Sequence, residues 1–204
     1  MKIHTIGDSH SKLGNINNPE IIQHWISGLL CYSFGIGKLN RVNIKNYSDI
    51  EDGDIVIFCF GEIDCRCHIN RFITPENDYT KIIDELIKNY IDAVKENINQ
   101  FTNLTTCLYN IIPPIQKHKC SSPNSEYPFV GTDLERQSYH LYFNKKLNEE
   151  CAINNFIFFD IYDKYTDDDG FLNEEYSDKN IHINDGTFIC EFIKNNELLL
   201  KYMS

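Results

Sequence analysis

The segment that most restricts the fold is Ile55-Val56-Ile57-Phe58-Cys59-Phe60, an unbroken apolar run bounded by Asp-Gly-Asp before it and Gly61 after it. Its length suits a strand, and the lack of alternation suits a strand covered on both faces, as in the centre of a parallel sheet. Parallel neighbours need long crossovers, usually helical. The rest of the chain supplies candidates. Lys2–Ile6 reads as a first strand, and Pro19-Glu20 as the start of a helix running to about Leu30, with Ile21, Ile22, Trp25, Ile26 and Leu29 on one face. A two-glycine loop at Ser33–Gly37 and a short strand near Arg41–Ile44 follow. Asp78 to about Phe101 has strong helical periodicity. Leu104–Ile112 is a further strand closed by Pro113-Pro114, and Gln116–Val130 is a loop placed to border a site. A helix capped by Asp133 runs to about Ala152, Phe156–Ile161 is the last strand, and a C-terminal helix spans about Asp185 to Tyr202.

The order β-α-β-β-α-β-α-β-α predicts an α/β fold. It is a three-layer α/β/α sandwich around a mainly parallel, flavodoxin-like sheet of about five strands. The 204 residues are expected to form one domain, 1–204, hiding about 70% of the unfolded surface. A formal charge of −11 argues against nucleic acid or an anionic membrane as a partner, since both call for a basic surface. No apolar run reaches the ~20 residues of a membrane span. The N-terminus enters a strand without a charged or apolar leader, so a cytoplasmic location with reduced thiols is expected for the dispersed cysteines. The sequence leaves the oligomeric state open.

Parallel topology brings Gly7-Asp8-Ser9, Gly61–Arg66 and the loop before His182 to the carboxyl edge of the sheet, where open α/β folds bind ligands. Serine, carboxylate and histidine at one edge are the parts needed for acyl transfer. The hydroxyl becomes a nucleophile when imidazole takes its proton, and the carboxylate fixes the imidazole tautomer. Asp8 is expected to hold the turn or pair with a base such as Arg66, and His10 to face the pocket or to serve as a polar residue of the turn. Cys65-x-Cys67-His68 has no second Cys/His pair at zinc spacing. Asp167-Asp168-Asp169-Gly170 lacks the glutamate that closes a calcium loop. No metal or organic cofactor is expected.

These residues resemble the SGNH (GDSL-type) hydrolases. Gly7-Asp8-Ser9-His10-Ser11 is similar to the block that carries the nucleophile, and Gly35 or Gly37 sits where the second block would place an oxyanion-hole glycine. Gly61-Glu62-Ile63-Asp64 aligns with Gly-x-Asn-Asp, and Asp178…His182 with Asp-x-x-His. Gly-Asp-Ser-His together with Gly-Glu-Ile-Asp-Cys-Arg also resembles a subgroup of SGNH-like proteins, some tied to polysaccharide synthesis. There are two departures. Ile63 replaces the asparagine that donates to the oxyanion, a loss of ~3–4 kcal/mol where it is not replaced; Arg66, held by Glu62 or Asp64, is the candidate stand-in beside the Ser9 N–H. The late motif is Asp-x-x-x-His, with Lys179 at the expected acid position. Asp178 remains the first choice as acid; a backbone carbonyl, Asp185 or Asp160 are the alternatives.

The resemblance implies a serine esterase or O-acyltransferase with Ser9 as nucleophile, His182 as base and Asp178 as orienting acid. Its substrate would be a small-molecule or glycan ester carrying a small O-acyl group such as acetyl. The other reading is a catalytically weak, SGNH-like module for glycan binding or assembly, favoured by Ile63 and the longer late motif.

Overall fold

The computed structural model describes residues 1–15 and 21–196. Strands β1 (Ile3–Gly7), β2 (Ile21–Trp25), β3 (Ile55–Cys59), β4 (Thr105–Tyr109) and β5 (Ile157–Phe159) form one sheet in the order β2-β1-β3-β4-β5. Every pairing is parallel. The central run behaves as its composition requires. Val56 and Phe58 of β3 join the core on one face, with Phe34, Tyr90 and Phe143. Ile55, Ile57 and Cys59 join the core on the other, with Leu13, Phe159 and Ile189. Helices α1 (Cys31–Gly37), α2 (Tyr79–Ile98) and α3 (Asp133–Asn154) cover the first face and α4 (Thr187–Asn195) the second. The architecture is a three-layer α/β/α sandwich. All eight cysteines are free thiols, and no helix among the described residues is long and apolar enough to cross a membrane.

The second strand differs from expectation. Ile21–Trp25 is not helical; it pairs with β1 from Ile3↔Ile21 to Gly7↔Trp25. Its apolar residues also fit a helical spacing, and as an edge strand it buries little beyond Ile21. The helix of this region lies later, at Cys31–Gly37, where a loop was expected. Arg41–Ile44 is no strand; 3₁₀ turns occupy Lys38–Asn40 and Ile44–Asn46. The cap of α3 is Thr132 rather than Asp133, because Thr132 and Glu135 form a reciprocal capping box. The expected helix start at Pro19-Glu20 and the C-terminal stretch beyond Asn196 lie outside the described residues.

Gly7 closes β1 directly beside Cys59 of β3. A Cβ there would overlap the Cys59 carbonyl oxygen, which lies within the strand contact and has no room to move. Gly7→Ala is therefore expected to lower unfolding free energy by about 3 kcal/mol or more, read from a denaturant melt. Native-like stability in that variant would contradict this strand register.

Candidate active site

Strand β1 ends at Gly7, and the chain turns at once into a 3₁₀ segment, Ser9–Asn15. The turn is tied down by the Asp8 N–H to the Cys59 carbonyl and by the Ser11 N–H and Oγ to the Asp8 carbonyl. This leaves Ser9 half-buried at the carboxyl edge of the sheet. His182 comes from the loop after β5. Its Nε2 stands 2.8 Å from Ser9 Oγ, and its Nδ1 stands 2.9 Å from Asp178 Oδ2. Serine, imidazole and carboxylate thus form one hydrogen-bonded line between residues far apart in sequence.

The extra residue in Asp178–His182 is absorbed locally. Ser177 and Ile183 bridge as an antiparallel pair, and the Asp178 N–H donates to the His182 carbonyl. Lys179 takes a left-handed φ of 62°, so the chain turns within the loop. Asp178 Oδ1 accepts the N–H groups of Asn180 and His182, leaving Oδ2 for the ring. Asp160 and Asp185 are engaged elsewhere: their carboxylates accept the Tyr162 and Thr187 N–H groups. Loop 116–130 is fastened to the same turn, the Ser121 N–H donating to the Lys179 carbonyl and the Ser122 N–H to Asn180 Oδ1. Burial and the neighbouring His10 lower the pKa of His182 below its usual 6.5, against the pull of Asp178. Its ring is thus held towards the neutral form that a base requires.

A cavity of roughly 180 Å³ opens over this line, walled by Lys12, Gly14, Tyr109, Ile112 and Ile183 beside Ser9, His10, Asp178 and His182. The other expected site residues lie differently. Gly35 and Gly37 are inside α1; Gly35 packs on Asn89 and Tyr90 of α2, and Gly37 on Arg41. Neither is at the edge of the sheet that bears Ser9. Asp64 caps α1, its carboxylate accepting the Cys31 N–H at 2.8 Å and the Tyr32 N–H at 3.1 Å. Burial raises its pKa to about 7 despite those donors. Arg66 is 4% exposed. Its Nε and Nη2 grip Glu62, and its Nη1 donates to the Tyr127 carbonyl. A guanidinium engaged on both sides is not aimed at the cavity, so the stand-in role expected of Arg66 is not supported. Ile63 is buried and contributes no side-chain donor. Asp8 pairs with His10 and not with Arg66.

Gly28 also lies beyond the carboxyl end of a strand. It follows β2, whose continuation is fixed by the Ile26 N–H donating to the Gly7 carbonyl. Gly28 has φ 63°, and a Cβ on it would collide with the Tyr127 hydroxyl. Reading Ile21–Trp25 as helix passed over Gly28 and led to the later glycines of α1. The β-branched pair Ile21-Ile22 ahead of Trp25 was the available signal.

Among the described residues, one group of three potential metal ligands occurs, His4, His24 and Asp49. His4 Nδ1 and His24 Nε2 are 3.0 Å apart with ring centroids 5.3 Å apart and planes at 19°, so the rings meet end to end. Asp54 holds the far nitrogen of His4. Facing nitrogens in this geometry suit an N–H···N hydrogen bond rather than two lone pairs converging on an ion.

No protein-family model matches the sequence, and no curated protein matches it. Solved structures do. A GDSL-like lipase from Bacteroides thetaiotaomicron matches with a TM-score of 0.60 over 98% of this chain and 88% of its own, at 14% identity. The fold is that of the GDSL-type hydrolases. The aryl esterase of M. smegmatis shares the fold at a TM-score of 0.55, covering 95% of this chain and 98% of its own at 12% identity. The OSK domain of Drosophila Oskar also matches at a TM-score of 0.57, over 93% of this chain and 85% of its own at 17% identity. What a GDSL-hydrolase fold does must therefore be argued from the site it carries.

The Arg66–Glu62 pair tests the description of this site. With both partners buried, Arg66→Gln leaves a carboxylate without its counter-charge, and a stability loss of about 3–5 kcal/mol is expected by chemical denaturation. A variant of unchanged stability and greatly reduced ester turnover would instead place Arg66 at the reacting atoms.

Proposed function

We propose that this protein is a serine esterase or O-acyltransferase acting on a small O-acyl ester, with acetyl on a carbohydrate hydroxyl as the leading substrate type. The observation that carries the reading is the unbroken line Ser9 Oγ–His182 Nε2, His182 Nδ1–Asp178 Oδ2, at 2.8 and 2.9 Å. Ser9 Oγ attacks the ester carbonyl while His182 takes its proton at Nε2. Asp178 holds the Nδ1–H and stabilises the imidazolium that forms. His182 then returns the proton to the departing alkoxide, leaving an acyl-serine. Water or a second hydroxyl, deprotonated by the same imidazole, resolves it. The backbone N–H groups of Ser9 and Gly28 are the donors assigned to the oxyanion in place of the residue-63 side chain. The modest cavity beside Ser9 favours a short acyl group, and the chemistry needs no metal or organic cofactor.

A glycan-binding module on the same fold is supported by one observation, the apolar Ile63 with Arg66 engaged elsewhere. Hydrolysis of p-nitrophenyl acetate separates the two. The esterase reading expects turnover that falls by roughly 10⁴–10⁶ in Ser9→Ala or His182→Ala, and a fluorophosphonate adduct on Ser9. Equal rates in wild type and both variants, with no adduct, would leave the binding module.

A further inference from the structure

His10 follows the nucleophile directly and is almost fully buried, yet it meets only acceptors. Its Nδ1 lies 2.9 Å from Asp8 Oδ1, an oxygen that already accepts the His10 backbone N–H. Its Nε2 lies 3.0 Å from the Ile181 carbonyl oxygen. A neutral imidazole has one N–H and one lone pair, so it would set a lone pair against an oxygen lone pair at one end. Only the imidazolium satisfies both contacts. The ring it would influence is close: the centroids of His10 and His182 are 5.0 Å apart.

We propose that His10 is a positioning residue whose standing positive charge, braced by Asp8 and Glu62, ties the nucleophile turn to the base loop and keeps His182 neutral. The proposal rests on the assignment of His182 as the base.

The surrounding charges are arranged to hold that proton. Asp8 supplies the first carboxylate from the same turn. Glu62, on the turn after β3, shares the wall of a small internal void with Asp8 and His10 and is itself gripped by Arg66. From α3, His140 also faces the group, its Nδ1 2.8 Å from the Ile112 carbonyl. Burial, with His10 and Arg66 nearby, drives its pKa to about 4 despite Glu62, so it stays neutral. Burial opposes charge on His10, but Asp8, Glu62 and the Ile181 carbonyl outweigh it and raise its pKa to about 9. Arg66 and His10 likewise pull Glu62 down to about 2 against its own burial. Signs alternate from Arg66 through Glu62 and His10 to Asp8. This gives Gly-Asp-Ser-His and Gly-Glu-Ile-Asp-Cys-Arg a common purpose: each motif contributes one cation and one anion to a single buried string.

For His182 the consequences have a definite sign. Asp178 favours its protonated form and His10 disfavours it. In the resting enzyme the cation keeps the imidazole free to accept a proton as pH falls. After Ser9 has transferred its proton, the same cation makes the resulting imidazolium a stronger acid, which speeds return of that proton to the leaving oxygen. The Nε2–H donated to the Ile181 carbonyl meanwhile holds the residue next to His182, so charge and placement come from one side chain.

The test counts protons on the rings, not turnover. Long-range ¹H–¹⁵N NMR of the wild-type protein at pH 7.5 is expected to show both His10 nitrogens protonated, and His182 titrating below 6.5. In His10→Gln, which keeps a donor towards Ile181 but carries no charge, the His182 titration is expected to move up by about one pH unit, the effect of a unit charge at this distance near a solvent-facing cavity. The acid limb of kcat/KM, where ester turnover is present, should move with it. A neutral His10 in the wild type, or a His182 midpoint unchanged in the variant, overturns the proposal. If His10→Gln does not fold, the wild-type spectrum decides alone, two ring protons supporting and one overturning. An inactive protein whose rings titrate as described would reject the esterase reading and leave the charge assignment intact.

Discussion

All five strands run the same way, and the site depends on that constraint. It sends every strand out of the sheet at one edge, so the turn after β1, the loop after β2 and the turn after β3 become neighbours although the chain separates them widely. The condition is kept at Gly7, where β1 and β3 approach so closely that no side chain fits. Ser9 stands two residues beyond that contact. Its position is thus set by a close strand contact, and the loop of His182 is hydrogen-bonded to it from the other side.

The parts of the fold legible in the sequence were those with a single reading. Ile55–Phe60 can hardly be anything except a strand buried twice, and α2 carries a long, clean periodicity that Asp78 caps. Ile21–Trp25 was not legible because an exposed edge strand has little to bury, and its few apolar residues satisfied a helical spacing equally well. That one error drew the expected oxyanion glycine to Gly35 and Gly37, which lie inside α1. The pairing of Ser9, His182 and Asp178 was readable from motif order, since strand ends converge whatever the loop lengths. The fate of Arg66 was not, because a charged side chain chooses partners by proximity, and Glu62 and the Tyr127 carbonyl are within reach only once the turn is folded.

Buried charge is the less usual aspect of this fold. A chain with a surplus of acidic residues buries Arg66 and His10 close to the Ser9 turn and matches them with carboxylates drawn from two different strand ends. Desolvating ions is costly and is offset only where each has a near counter-charge and satisfied hydrogen bonds. Arg66 with Glu62 meets that requirement; His10 has Asp8 as its near counter-charge, while Asp8 Oδ2 is buried with no hydrogen-bond partner among the described residues. Their neighbour Asp64 serves the backbone instead, closing the open end of α1 and so fixing the loop that presents Gly28.

The turn from Asp178 to His182 is closed by its own hydrogen bonds, with the left-handed Lys179 at its bend. Asp178 and His182 therefore form a prefabricated unit held together by its own hydrogen bonds. That unit meets the Ser9 turn at two places, His182 Nε2 against Ser9 Oγ and the Ile181 carbonyl against His10 Nε2. In such a construction the geometry inside the pair is set locally, while its alignment with Ser9 is set separately by those two joints, so lengthening the loop on either side retunes the alignment without dismantling the pair.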